Sequence, residues 1–81
     1  MSHRNFDAVN HVVKIRDEGE QTKYLVIYNN GIATELVSSM EDEYESGPID
    51  LTVAHRLLRE RFLACSRALR EVKKGMALLK W

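Results

Sequence analysis

The side chains able to do chemistry in this 81-residue chain are few and far apart. Three histidines (His3, His11, His55) and a single cysteine, Cys65, are the candidates for metal ligation, nucleophilic attack or proton transfer near neutral pH. A metal site needs such ligands at close spacings, HxH, HxxxH or CxxC, that bring two donors to one side of a turn or helix. No such spacing occurs. His55 and Cys65 are ten residues apart, about 15 Å of rise on one helix and too far for a thiolate–imidazole pair. Cys65 also falls on an apolar stripe, where a free cysteine acts as a small hydrophobe. The carboxylates gather in "RDEGEQ" at 16–21 and "MEDEYES" at 40–46. Neither stretch has an apolar pocket to hold two acids at different pKa values, as a general acid–base pair requires. There is no Gly-rich phosphate loop and no GxSxG turn. The expectation is a non-enzymatic protein with no catalytic residue, no metal and no cofactor.

Charge is the stronger signal. The chain is formally neutral, but residues 1–54 hold four Lys or Arg against ten acids, while residues 55–81 hold eight against two. Such asymmetry between halves points to an interaction surface, or to two halves that satisfy each other. Four of the five residues at 41–45 are acidic, namely Glu41, Asp42, Glu43 and Glu45, with Tyr44 among them. That run reads either as a solvated loop or as an acidic docking patch for a basic partner.

The elements that must position these residues follow from periodicity. "HVVKIR" at 11–16, "KYLVIYN" at 23–29 and "IATELV" at 32–37 are β-branched or aromatic and alternate in polarity, which predicts three strands. Asn30-Gly31 between the last two is the dipeptide of a two-residue type I′ hairpin. That turn would set Ile27 opposite Thr34, Leu25 opposite Leu36, Val26 opposite Glu35 and Tyr24 opposite Val37. One sheet face then seats a helix, and the other carries Val12, Tyr24, Val26, Tyr28 and Val37. The second face is more apolar than a solvated face needs to be.

Residues 38–49 are polar, close on Gly47-Pro48 and read as an acidic loop. Asp50 is the expected helix N-cap. Beyond it, Leu51, Ala54, Leu58, Phe62, Cys65, Leu69, Val72, Met76 and Leu79 recur every three or four residues, predicting one amphipathic helix over about 50–80. Gly75 is its one interior interruption. The expected fold is therefore α+β, a single domain over 1–81: a three-stranded antiparallel β-meander followed by one long C-terminal amphipathic α-helix packed on the sheet.

Length then bears on assembly. A helix of about 30 residues is roughly 45 Å long, whereas strands of five to seven residues span about 17 to 23 Å. The part of the stripe centred on Leu69, Val72, Met76 and Leu79 is left over. It predicts a homodimer or higher oligomer, the commonest arrangement being a symmetric pair, unless the chain folds back at Gly75. Opposite the stripe, Arg56, Arg59, Arg67, Arg70, Lys73 and Lys74 share one arc with Leu63 and Ser66. Glu60 and Glu71 stand where they can pair with Arg56 and Arg67 at i,i+4. The leading functional expectation is a small regulatory or interaction protein. It would bind a protein partner through Tyr24, Val26 and Tyr28, through Glu41, Asp42, Glu43 and Glu45, or through both. The alternative is nucleic-acid binding by the six-residue basic arc. A pI near 6.8 and the lack of any helix-turn-helix, zinc-finger or RNA-binding signature restrain that alternative. A third possibility is a small anion held by an arginine near the apolar sector, such as Arg61. No apolar run approaches a membrane span, no signal-peptide core is evident, and a lone cysteine suits a reducing compartment, so a cytoplasmic protein is expected.

Overall fold

The computed structural model describes residues 8–79. The expectations for His3 and for the helix end at residue 80 lie outside these. The described residues form an antiparallel sheet of four strands in the order β1-β2-β3-β4, followed by two helices. The strands are β1 (Val9–Asp17), β2 (Gln21–Tyr28), β3 (Ala33–Ser39) and β4 (Glu43–Glu45); the helices are α1 (Leu51–Ala64) and α2 (Leu69–Leu78). The α+β class holds, with two corrections of detail. The sheet gains a short fourth strand, and the single long helix is two.

The β2–β3 hairpin is not the type I′ turn that Asn30-Gly31 suggests. Of the residues in this turn only Gly31 has positive φ (+85°). The Gly31 amide donates to the Tyr28 carbonyl (3.0 Å), and the Ile32 amide to Asn30 Oδ1 (3.0 Å). Asn29, Asn30 and Gly31 thus make a three-residue loop, a turn closed by a left-handed glycine. The longer loop slips the register by one residue: Ile27 faces Ala33, Val26 faces Thr34, Leu25 faces Glu35 and Tyr24 faces Leu36. With a period of two, that slip exchanges the faces of β3. Thr34 and Leu36 join Tyr24, Val26 and Tyr28 on the side away from the helices. Glu35 turns to the helix side, where its carboxylate pairs with Lys23 (3.4 Å).

Residues 38–49 are mostly tied to β3 rather than looping free. β4 pairs with it (Val37 with Tyr44, Ser38 with Glu43), the Ser46 amide donates to the Glu35 carbonyl (2.8 Å), and the Ile49 amide donates to the Ala33 carbonyl (2.9 Å). Asp50 does stand at the N-cap of α1 with extended backbone, but its side chain makes no capping bond.

The core lies between the sheet and both helices. Val13, Ile15, Leu25, Ile27 and Ala33 from the strands meet Ala54, Leu57 and Leu58 of α1, then Ala68, Val72 and Leu79 from the second helical segment. The helix break falls at Cys65, extended at φ −151°, ψ 103°, with a 3₁₀ turn at Ser66–Ala68 leading into α2. Gly75 is inside α2 and does not end it. A Cβ there would stand 3.0 Å from Leu58 Cδ2 and 3.4 Å from Ile27 Cδ1, so the missing side chain lets α2 press onto α1 and the sheet. Folding back buries Val72 and Leu79 in the chain's own core. The leftover stripe that argued for a second copy at these two positions is thereby consumed, and the length argument falls with it.

Two links tie the helices to β1. The Arg16 guanidinium donates to the Glu60 carboxylate, and His11 Nε2 donates to the Glu71 carbonyl (3.1 Å). The Glu60 hydrogen bond, then its charge, raises the Arg16 pKa above its ordinary value. Whatever stability that proton adds is therefore present throughout the neutral range and lost only as pH rises through the raised, strongly alkaline pKa.

Candidate interaction surfaces

The acidic segment is an ordered hairpin. In the turn between β3 and β4, the Ser39 amide and hydroxyl both donate to the Asp42 carbonyl (2.8 and 3.1 Å), and the Asp42 amide donates to Ser39 Oγ (3.1 Å). These bonds hold Met40 almost fully exposed (98%) and Tyr44 largely so (68%), with Glu41, Asp42 and Glu43 also exposed. The two acidic clusters of the sequence meet here. Glu20, from the β1–β2 turn, and Gln21, the first residue of β2, line a cleft of about 380 Å³ together with Ser39, Met40 and Glu41.

Glu45 belongs elsewhere. Its Oε2 accepts from the Thr34 hydroxyl (2.6 Å) and from the Tyr28 hydroxyl on the sheet face away from the helices. Tyr28 and Glu45, reached from two separate features of the sequence, are thus neighbours. Thr34, buried beside them, was not anticipated, since the expected register set it on the helix side. On this face Val26 (3% exposed) and Leu36 (8%) are buried, outside the cluster that packs on the helices, and Tyr24 is half-buried. Val12 and, just before β3 and opposite Tyr28, Ile32 are exposed apolar residues of this face.

The six basic residues all remain exposed, but three segments carry them. Arg56 and Arg59 lie on α1, Arg67 in the 3₁₀ turn, and Arg70, Lys73 and Lys74 on α2. Glu60 bonds Arg16 and not Arg56. Arg56 and Arg59 line a second cleft of about 420 Å³ with Thr52, His55 and Met76. No ion pair joins either arginine to an acid among the described residues. Arg61 is half-buried, with its Nε lacking a hydrogen-bond partner among those residues.

At the corner between the helices a further patch opens. Leu63 is 76% exposed, Phe62 and Leu69 are partly so, and Ala64 is also exposed. Leu63 was detectable as the one large apolar residue within the basic arc. The sequence places Phe62 on the apolar stripe, and it is bared because α1 stops two residues beyond it. Of the four residues expected at an oligomer interface, Leu69 is exposed, Met76 half-buried, and Val72 and Leu79 are core.

Among the described residues no group of three or more His, Cys, Asp or Glu side chains could hold a metal ion, and no helix is long and apolar enough to cross a membrane. What the fold and these surfaces define is a small α+β domain with one acidic and one basic-apolar patch. No protein-family model, curated protein or solved structure matches the chain.

Proposed function

We propose that this is a non-enzymatic protein-binding module whose docking element is the β3–β4 hairpin. The observation that carries the reading is the exposure of Met40 and Tyr44, on a hydrogen-bonded hairpin that also exposes Glu41 and Asp42. Exposed apolar residues rimmed by charge are the usual mark of a protein-interaction site. A hairpin already held by three hydrogen bonds loses little further entropy when it docks. The complementary partner is a protein surface with an apolar seat rimmed by Lys or Arg. Replacing Tyr44 with a photo-crosslinking phenylalanine in the full chain should give a discrete protein adduct. Reversing Glu41 and Asp42 to Lys should abolish it. No adduct, or one indifferent to those charges, refutes the reading.

The second reading is nucleic-acid binding at the α1 cleft, favoured by Arg56 and Arg59, which no ion pair joins to an acid among the described residues. Phosphate contacts there would release counterions and weaken steeply with salt. Arg56→Glu/Arg59→Glu should then remove binding seen at low salt.

A further inference from the structure

We propose that the seat for the acidic end of the sheet is the inter-helix corner of a second copy of this chain, with Leu63 of one copy entering the Glu20–Met40–Glu41 cleft of the other. The inference rests on the hairpin being a docking element and adds the identity of what docks. Three observations lead to it.

The first is complementarity of chemistry. The cleft is about 380 Å³, with Met40 as its apolar wall and Glu20 and Glu41 as its charges. The corner offers an apolar projection, Leu63 with Phe62 beside it. Arg59 stands one helical turn before Leu63, on the same face of α1, and Arg67 follows just past the helix end. An aliphatic side chain flanked by guanidinium groups is what a methionine-walled acidic cleft would receive. Carboxylates on both sides would deter association of two acidic ends with each other.

The second is that the charges are not already matched at home. Lys14–Asp17, Arg16–Glu18, Arg16–Glu60 and Lys23–Glu35 are ion pairs among the described residues. None joins Arg59 or Arg67 to Glu20 or Glu41. The opposite charges of the two halves of the chain thus remain available at these two surfaces.

The third is placement. Asp17, Gln21 and Ser39 all lie at one end of the sheet, because Asp17 pairs with Thr22 and Gln21 with Ser39. The Arg16–Glu60 bond anchors the C-terminal half of α1 over the same end of β1. The acidic cleft and the basic corner therefore occupy one end of the molecule. Two copies related by a two-fold axis through that end would make the contact twice, which is the closed geometry most homodimers adopt.

Sedimentation or light scattering of the full chain across a concentration series, at about 20 mM and about 500 mM salt, reads the association directly. A dimer that weakens with salt is expected, since a Debye length of about 3 to 8 Å at the higher ionic strengths screens exposed charges. Leu63→Glu should weaken it about tenfold or more, with helix content by circular dichroism unchanged because Leu63 is exposed. Glu20→Lys/Glu41→Lys and Arg59→Glu/Arg67→Glu should each be monomeric alone, and a mixture of the two should dimerise again, since both contacts then join opposite charges. A wild-type chain that stays monomeric at low salt overturns the proposal. So does a dimer indifferent to Leu63→Glu, which would be using another surface, or a pair of charge-reversal variants that does not recover the dimer on mixing. A monomer that still gives the Tyr44 cross-link to a different protein overturns only the second copy and leaves the hairpin as a docking element. A monomer with no cross-link overturns both.

Discussion

Replacing Gly75 with Ala separates two accounts of the C-terminal helix by the sign of the effect. If Gly75 were a solvated interruption in a long helix, alanine would stabilise the protein by about 1 kcal/mol, the difference in helix propensity. In the structure the new methyl would sit 3.0 and 3.2 Å from the two Cδ atoms of Leu58 and 3.4 Å from Ile27 Cδ1. Carbon pairs prefer about 3.5 to 4.0 Å, so Leu58 must retreat by several tenths of an ångström. Leu58 and Ile27 are both fully buried, and the retreat displaces further core atoms. Overpacking of this kind costs about 1 to 3 kcal/mol. Set against the propensity gain, Gly75→Ala should be destabilising by up to about 2 kcal/mol. In a domain of this size each 1 kcal/mol lowers Tm by about 4 to 8 °C. Urea unfolding followed by circular dichroism at 222 nm measures it. A double-mutant cycle isolates the cause: Leu58→Val removes both Cδ atoms, so Gly75→Ala in that background should recover the propensity gain, with a coupling of about 0.5 to 3 kcal/mol. If Gly75→Ala stabilises the otherwise wild-type protein by about 1 kcal/mol, or the cycle shows no coupling, then α2 does not pack on α1 at this point.

Further expectations concern the other corrected features. Leu79→Ala should cost about 2 to 5 kcal/mol as a core truncation, and the loss should be the same at every protein concentration; a concentration-dependent loss would return Leu79 to a subunit interface. Gly31→Ala should cost about 1 to 2 kcal/mol, because residue 31 sits at φ +85°, a left-handed backbone strained for any L side chain although the space around it is open; an unchanged urea midpoint would contradict the three-residue turn. Glu45→Leu leaves the buried Thr34 hydroxyl without its acceptor, for a loss of about 1 to 3 kcal/mol, and Thr34→Val should recover part of it in the double variant. A fully additive pair would show that the Thr34–Glu45 bond is not made.

The strands of this chain were legible because each has a strong internal pattern: "KYLVIYN" is almost wholly β-branched or aromatic, and its alternation put Tyr24, Val26 and Tyr28 on one face whatever strand lay beside it. The partner's register was not legible, because it depends on how many residues turn. Asn29-Asn30-Gly31 satisfies a two-residue or a three-residue loop, and one residue more exchanges every side chain of β3 between faces. β4 was missed because "EYE" is acidic and too short to show a period. The helix break was hidden for a different reason. Ala54, Leu57 and Leu58 before it, and Ala68, Val72, Gly75 and Leu79 after it, keep the same phase on a wheel of about 100° per residue. Periodicity reports which face is buried and is blind to a break that preserves phase. The usual local marks are missing too: neither Cys65 before the 3₁₀ turn nor Ala68 before α2 makes a side-chain cap. Gly75, the residue that looked like a breaker, is instead what permits close packing.

The mismatch between a long apolar stripe and a narrow sheet nonetheless stated a physical constraint that the fold had to meet. Apolar surface that a single sheet cannot cover must be met by a partner, by the chain itself, or by water. Doubling back at Cys65 meets it internally for Val72 and Leu79 and for the glycine that seats α2. The reversal has a geometric consequence of its own. Where one helix ends and the next begins, side chains on the outer curve lose the neighbours that a continuous helix would have supplied. Phe62, Leu63 and Leu69 stand on that curve, and they are the exposed large apolar residues of the helical layer. The unmet surface has thus been moved from Val72 and Leu79 to the corner, beside Arg59 and Arg67 and at the same end of the molecule as Glu20 and Glu41. An apolar remnant placed among arginines is no longer a generic sticky face, since carboxylates beside an apolar wall suit it better than another Leu-rich surface would. Length thus no longer calls for a second copy, and the association proposed above rests on different residues, so it should weaken with salt.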